Sequence, residues 1–172
     1  MKKLWFLFWL SFTCVAKAQP SIKLYAYSRE TTQGTVRRNP NNENGNPVIS
    51  SKEPLLDYYV FAVYKGSSTI RIGSLWIKGK RYLIQVEKKD STPVVLSADG
   101  PGINDSKELL VPATKSNVIS IVALRKALND FSTNSIPASL RHSSVIISYY
   151  YRGKLFYAGL KKIKSLHPAL GL

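Results

Sequence analysis

The stretch that most limits the possible fold is residues 144–160, "SVIISYYYRGKLFYAGL". Apolar, aromatic and β-branched residues stand on both sides of Arg152-Gly153-Lys154, and glycine suits a tight reversal. With Arg152-Gly153 as the central pair, Val145 faces Leu160, Ile147 faces Ala158 and Tyr149 faces Phe156. Side chains alternate between the two faces of a strand, so these six form one continuous apolar face. Ser148, Tyr150 and Tyr157 go to the other face. An isolated hairpin is marginal in water, so this one needs further strands to cover its apolar side.

The chain supplies them. "IKLYAYS" at 22–28 alternates, and "DYYVFAVY" at 57–64 reads as a buried strand. Ile70–Ile77 and Tyr82–Glu87 flank "KGKR" as a second glycine hairpin. Val94–Leu96 and Leu109–Val111 are short strands. Residues 117–131, "NVISIVALRKALNDF", begin with β-branched residues, but Leu124, Leu128 and Phe131 recur at helical spacing. The expectation is a strand running into a short helix that ends near Asp130. The fold class expected is all-β, a two-sheet antiparallel β-sandwich (immunoglobulin-like or similar) of about eight strands with one short helix. An α+β fold is the alternative.

Register in the second glycine hairpin has two solutions. With Gly79-Lys80 central, Ile77 faces Tyr82, Leu75 faces Ile84 and Gly73 faces Val86, giving an apolar face with Lys78 opposite Arg81. With Lys78-Gly79 central, Trp76 faces Arg81 and Ile72 faces Gln85. The first keeps apolar residues together and is the one expected.

The N-terminus is a separate unit. Lys2 and Lys3 precede an apolar run from Leu4 to Ala16, and "AKA" precedes Gln19. This is the pattern of a secretory signal peptide over 1–18, cut between Ala18 and Gln19. The run is short for a membrane span, which takes about 20 residues. Lipid attachment at Cys14 is the alternative. Residues 19–172 then form a single exported domain without cysteine, so disulfides and thiolate chemistry are excluded from it. A polar stretch over 29–56, containing "RRNPNNENGNP", is expected to be a loop, and the chain ends in a basic tail from Lys161. The periplasm or the extracellular side of a bacterial envelope suits these features.

Charge narrows the partner. The cut leaves 22 basic against 10 acidic residues, a balance of +12. Such a chain attracts polyanions and anionic surfaces. Anionic glycan, lipid headgroups or an envelope protein are the partners expected. Nucleic acid fits an exported protein poorly, and the mature chain has no transmembrane segment. Both glycine hairpins end in cations. Lys78, Lys80, Arg81, Arg152 and Lys154 at the tips, with Lys161 and Lys162 after the second, are the candidate anion-binding residues. Trp76, Tyr150 and Tyr157 are the candidate aromatic contacts, because aromatic rings beside cations suit sugars and headgroups. The two tips make one rim only if they lie at the same end of the fold.

Catalytic constellations are sparse. His142 and His167 are far apart in the chain, and no G-x-S-x-G elbow or phosphate loop occurs. A hydrolase using two of Asp99, Asp105 and Glu108 is the enzymatic alternative. Calcium loops use several carboxylates, whereas 37–47 holds only Glu43. No catalytic, metal or cofactor residue is assigned. The function expected is a non-enzymatic binding or assembly module of the envelope. A structural subunit that pairs through an edge strand is a further alternative.

Overall fold

The computed structural model describes residues 20–33, 55–97, 107–126 and 136–171. Among these residues the chain is an all-β, sandwich-like fold of eleven strands, with one 3-10 turn at Ala138–Leu140 as the only helical element. The strands are β1 (Ile22–Gln33), β2 (Leu55–Tyr64), β3 (Ile70–Ile77), β4 (Lys80–Lys89), β5 (Val94–Ser97), β6 (Lys107–Val111), β7 (Asn117–Lys126), β8 (Val145–Tyr151), β9 (Lys154–Leu160), β10 (Lys164–Ser165) and β11 (Ala169–Gly171).

One large sheet runs β10-β1-β2-β7-β4-β3-β8-β9, with β11 also on β1. It is antiparallel apart from β10 and β11, which lie parallel to β1. Its longer strands contribute alternate apolar side chains to a single core. Leu24 and Ala26, Val60 and Ala62, Ile119 and Ile121, Leu75 and Ile77, and Val145, Ile147 and Tyr149 are all buried there. One shared core from one sheet requires the sheet to curl, and β9 at one end of the path does approach β1 near the other. Hydrophobic burial on the concave side is what drives the curl.

The convex side is covered in part by the second sheet, β5–β6. Leu110 and Val111 bury Tyr27, Phe61 and Val118, which alternate outward from β1, β2 and β7. The Tyr27 hydroxyl donates to the Leu110 carbonyl at 2.6 Å, tying β6 to β1. Burial, with Tyr25 nearby as a lesser cause, raises the pKa of that hydroxyl.

Several expectations change. In 117–131 the strand persists to Lys126, and Leu124 is an exposed strand residue, not a position on a helix face. Pairing with β4 along this segment outweighs its helical spacing. The remainder of the expected helix lies outside the described residues. The expected loop at 29–56 is strand at both ends, because β1 continues to Gln33 and β2 begins at Leu55. Its middle, 34–54, lies outside the described residues, as do the expected signal peptide and Cys14. The basic tail does not hang free: Lys164 pairs with Tyr27, and Ala169–Gly171 pair with Thr31–Gln33.

The hairpins divide. In β8–β9 the pairs are Val145–Leu160, Ile147–Ala158 and Tyr149–Phe156, as the alternation requires. In β3–β4 the pairs are Ile77–Lys80, Trp76–Arg81 and Leu75–Tyr82. Lys78 and Gly79 are therefore the central residues, and the expected Ile77–Tyr82 register is overturned. The reason is tertiary. β4 leaves β3 after three pairs and continues along β7, from Tyr82–Lys126 to Lys89–Val118. Matching of Leu75 with Ile84 and Gly73 with Val86 therefore has no bearing on the register.

Candidate ligand groove and cationic end

The β3–β8–β9 region presents three side-chain rows on its convex face. Arg81, Trp76, Ile146 and Gly159 lie in line across the strands. Ser74, Ser148 and Tyr157 form the next row, and Arg71, Tyr150 and Leu155 the third. Simple alternation would put Arg71 and Trp76 on opposite faces. A bulge between Ile72 and Ser74 adds one residue to β3 and brings both to the same face.

These rows line a shallow, open groove of ≈ 690 Å³. Arg71, Gly73, Ser74, Trp76, Arg81, Ser148, Tyr150, Leu155 and Tyr157 line it, with Ile72. Gly73 forms part of its floor. A Cβ on that residue would come within 2.8 Å of Ser148 Oγ and 3.4 Å of Tyr150 Cε2. The Arg71 guanidinium lies over the Tyr150 ring at 4.8 Å, a cation–π contact that orients both. The Arg81 guanidinium donates to Ser74 Oγ at 2.9 Å. Trp76 and Tyr157 rings are 6.4 Å apart and tilted by 41°.

All three aromatics proposed from sequence thus meet in one groove. Trp76 differs from expectation in its exposure. It is 7% exposed, packed with Ile136 and Ile146, and only part of it reaches the groove. Its Nε1 is buried with no hydrogen-bond partner among the described residues. A buried donor without an acceptor costs about 1–3 kcal/mol. Arg71 and Ser74 were not named from the sequence, and Ser148 was placed only on the face of Tyr150 and Tyr157. Gly73 inside a strand was the available signal, because such a glycine often marks a bulge.

The cations divide between two ends. β3 and β8 are antiparallel, with Ile77 opposite Val145 and Ile70 opposite Tyr151. The β3–β4 tip is therefore at one end of this pair and the β8–β9 tip at the other, about 20 Å away at 3.4 Å per residue. Lys78 and Lys80 lie at the first end, and Arg152 and Lys154 at the second. The two tips do not form a single rim. Lys161 and Lys162 follow Leu160, which faces Val145, so they join Lys78 and Lys80. Main-chain contacts fasten them: Lys78 N donates to the Ser144 carbonyl at 2.8 Å, and Ser144 Oγ donates to the Lys161 carbonyl at 2.7 Å. Residues 137–144 cross over Gly159, where a Cβ would meet Ser143 Oγ at 2.6 Å and Leu140 Cδ2 at 3.0 Å. This crossing delivers Arg141, also missed from sequence, to the same end. Arg81 turns instead into the groove.

The carboxylates expected for a hydrolase are only partly described. Asp99 and Asp105 lie outside the described residues. Glu108, on β6, holds the tail: its Oε1 accepts from the His167 backbone at 3.2 Å and lies 2.7 Å from His167 Nδ1. Burial alone would raise the Glu108 pKa, but the His167 hydrogen bonds, with the His167 and Arg29 charges, bring it below the ordinary value. Among the described residues no three His, Cys, Asp or Glu side chains gather to hold a metal. No helix among them is long and apolar enough to cross a membrane. Searches of protein-family models, curated proteins and solved structures return no match for this chain.

Proposed function

We propose that this chain is an exported, non-enzymatic binding module of the bacterial cell envelope, and that its ligand is an acidic glycan held in the β3–β8–β9 groove. One observation carries the reading: three aromatic and two guanidinium side chains meet in one groove on the face turned away from the core. Aromatic rings stack on the apolar faces of sugars, and guanidinium forks donate paired hydrogen bonds to carboxylate, sulfate or phosphate oxygens. Ser74 and Ser148 add hydroxyls that donate or accept. The positive balance of the whole chain draws such a ligand in before contact.

Trp76 makes the test direct. The chain's other two tryptophans, Trp5 and Trp9, fall within 1–18, so a chain cut after Ala18 carries one tryptophan and it lines the groove. Alginate oligosaccharides should change its fluorescence saturably, and neutral dextran should not. Replacing Arg71 and Tyr157 by alanine should weaken alginate binding at least about tenfold, the loss of roughly 1.4 kcal/mol. Equal binding of alginate to the wild type and to this variant would overturn the assignment.

A further inference from the structure

We propose that Lys78, Lys80, Arg141, Lys161 and Lys162 form a docking platform for an anionic lipid surface. The inference rests on the charge map and is independent of what the groove holds. All five residues are exposed. Lys78 and Lys80 come from the β3–β4 turn and Lys161 and Lys162 follow β9, all at the Val145 end of the β3–β8 pair, and Arg141 lies in the turn three residues before Ser144, whose hydroxyl donates to the Lys161 carbonyl. The two hydrogen bonds through Ser144 fix the backbone of Lys78 relative to that of Lys161. None of the five has an ion-pair partner among the described residues, where the pairs found are Lys89–Glu87 and His167–Glu108.

Shape and chemistry then select the partner. The cations stand on exposed turns and strand ends, open to contact with an extended charged surface. Four of the five are lysines. Their mobile ammonium groups act as point charges without the fixed fork of arginine, which suits a plane of diffuse negative charge. Clustered lysines near a membrane bind anionic headgroups additively and lose that attraction within a Debye length, about 10 Å at 0.1 M salt. The opposite tip is unlike this end. It offers Arg152 and Lys154, and Arg152 is drawn over the Tyr151 ring at 5.2 Å. A molecule resting on the platform would carry the groove on its flank, with Trp76 and Arg81 nearer the surface and Arg71 farther from it.

The test compares two variants of equal charge. Lys78→Glu with Lys161→Glu alters the platform, and Arg152→Glu with Lys154→Glu alters the far tip. The protein is purified as the cell processes it from the full gene. It is mixed with vesicles of phosphatidylglycerol in phosphatidylcholine, and with phosphatidylcholine alone to subtract any apolar insertion. Wild type should bind the anionic vesicles and be released by 0.5 M salt. The platform variant should lose at least about tenfold in affinity, and the far-tip variant should stay within about threefold. Equal losses in the two variants would make the effect one of net charge and overturn the proposal. So would an absence of wild-type binding at low salt. Alginate titration of the same platform variant reports the groove separately, so a failure of either reading is distinguishable from a failure of the other.

Discussion

The β3–β4 and β8–β9 hairpins have nearly the same tip and different fates. Each turns through a cation and a glycine with positive φ, 48° and 76° at Lys78-Gly79, 48° and 75° at Arg152-Gly153. Positive φ at both central residues marks the tight turn whose twist matches paired strands. Beyond the tip they separate. β8 and β9 stay together for seven pairs, Val145–Leu160 through Tyr151–Lys154. β3 and β4 part after three, when β4 goes to β7 and β3 stays with β8. Turn geometry is local, whereas the length of a ladder depends on where the rest of the sheet directs each strand beyond the turn. A hairpin at the end of the sheet path keeps its partner. One in the middle has a neighbour on each side and needs its own partner less.

The sharpest way to break this comparison is to remove one large core side chain from each hairpin. Tyr149 is fully buried at the centre of β8 and stacks on Phe156 at 5.7 Å and 25°. Tyr82 is half-buried at the start of β4 and meets Tyr58 edge-on at 6.0 Å. Tyr149→Ala should cost about 3–5 kcal/mol, in the range of other aromatic truncations in cores. Tyr82→Ala should cost about 1–2 kcal/mol, because part of its surface is already wet. Urea unfolding of the two variants measures both. A Tyr82 variant as unstable as the Tyr149 variant would mean that the β3–β4 junction is as central to the core as β8–β9.

The same contrast explains how much of the molecule was legible. The β8–β9 register was legible because its six inward residues alternate without interruption and no third strand intervenes. The β3–β4 register was not, because the apolar match of Leu75 with Ile84 is real chemistry on residues that never pair. Ile84 faces Ala123 of β7 instead. The groove was half legible. Trp76, Tyr150 and Tyr157, named as contacts beside a rim of tip cations, line one groove instead; of the tip cations only Arg81 is beside them, and Arg71 was not named. Parity hid Arg71, since only the extra residue at the Gly73 bulge turns it to the Trp76 face. The cationic end was hidden for another reason. Lys78 and Lys161 are distant in sequence, and only the antiparallel order β3–β8–β9 decides that Lys161 joins Lys78 while Arg152 does not.

A second test concerns what the hairpins share. Gly79 and Gly153 both have φ near 75°, and a Cβ at either would meet nothing within 4 Å. The cost of alanine is therefore purely one of backbone conformation. Gly79→Ala and Gly153→Ala should each destabilise by about 1–2 kcal/mol, and by similar amounts. Thermal melts of the two variants check this. A much larger cost at Gly153 would show that the longer β8–β9 ladder transmits turn strain that the three-pair β3–β4 ladder absorbs.

The smallest effect separates tip geometry from tip charge. Lys78 and Arg152 hold φ of 48°, where asparagine is better tolerated than most side chains and Asn-Gly is the favoured pair. Lys78→Asn and Arg152→Asn should each stabilise by roughly 0.5 kcal/mol at most. Lys78 N keeps its bond to the Ser144 carbonyl in the first variant, because that bond uses the backbone alone. The two substitutions remove the same charge and should leave the same fold, and the cation–π contact with Tyr151 that Arg152→Asn also removes should separate their melting only by about 0.5–1 kcal/mol. Vesicle binding should. Lys78→Asn takes one cation from the cluster of five and should weaken binding to phosphatidylglycerol by a few-fold. Arg152→Asn acts at the end about 20 Å away and should leave it nearly unchanged at 0.1 M salt, where charges are screened over about 10 Å. Closely similar melting with unequal binding would show that the two tips, alike in backbone, differ in function through the strand order that places them.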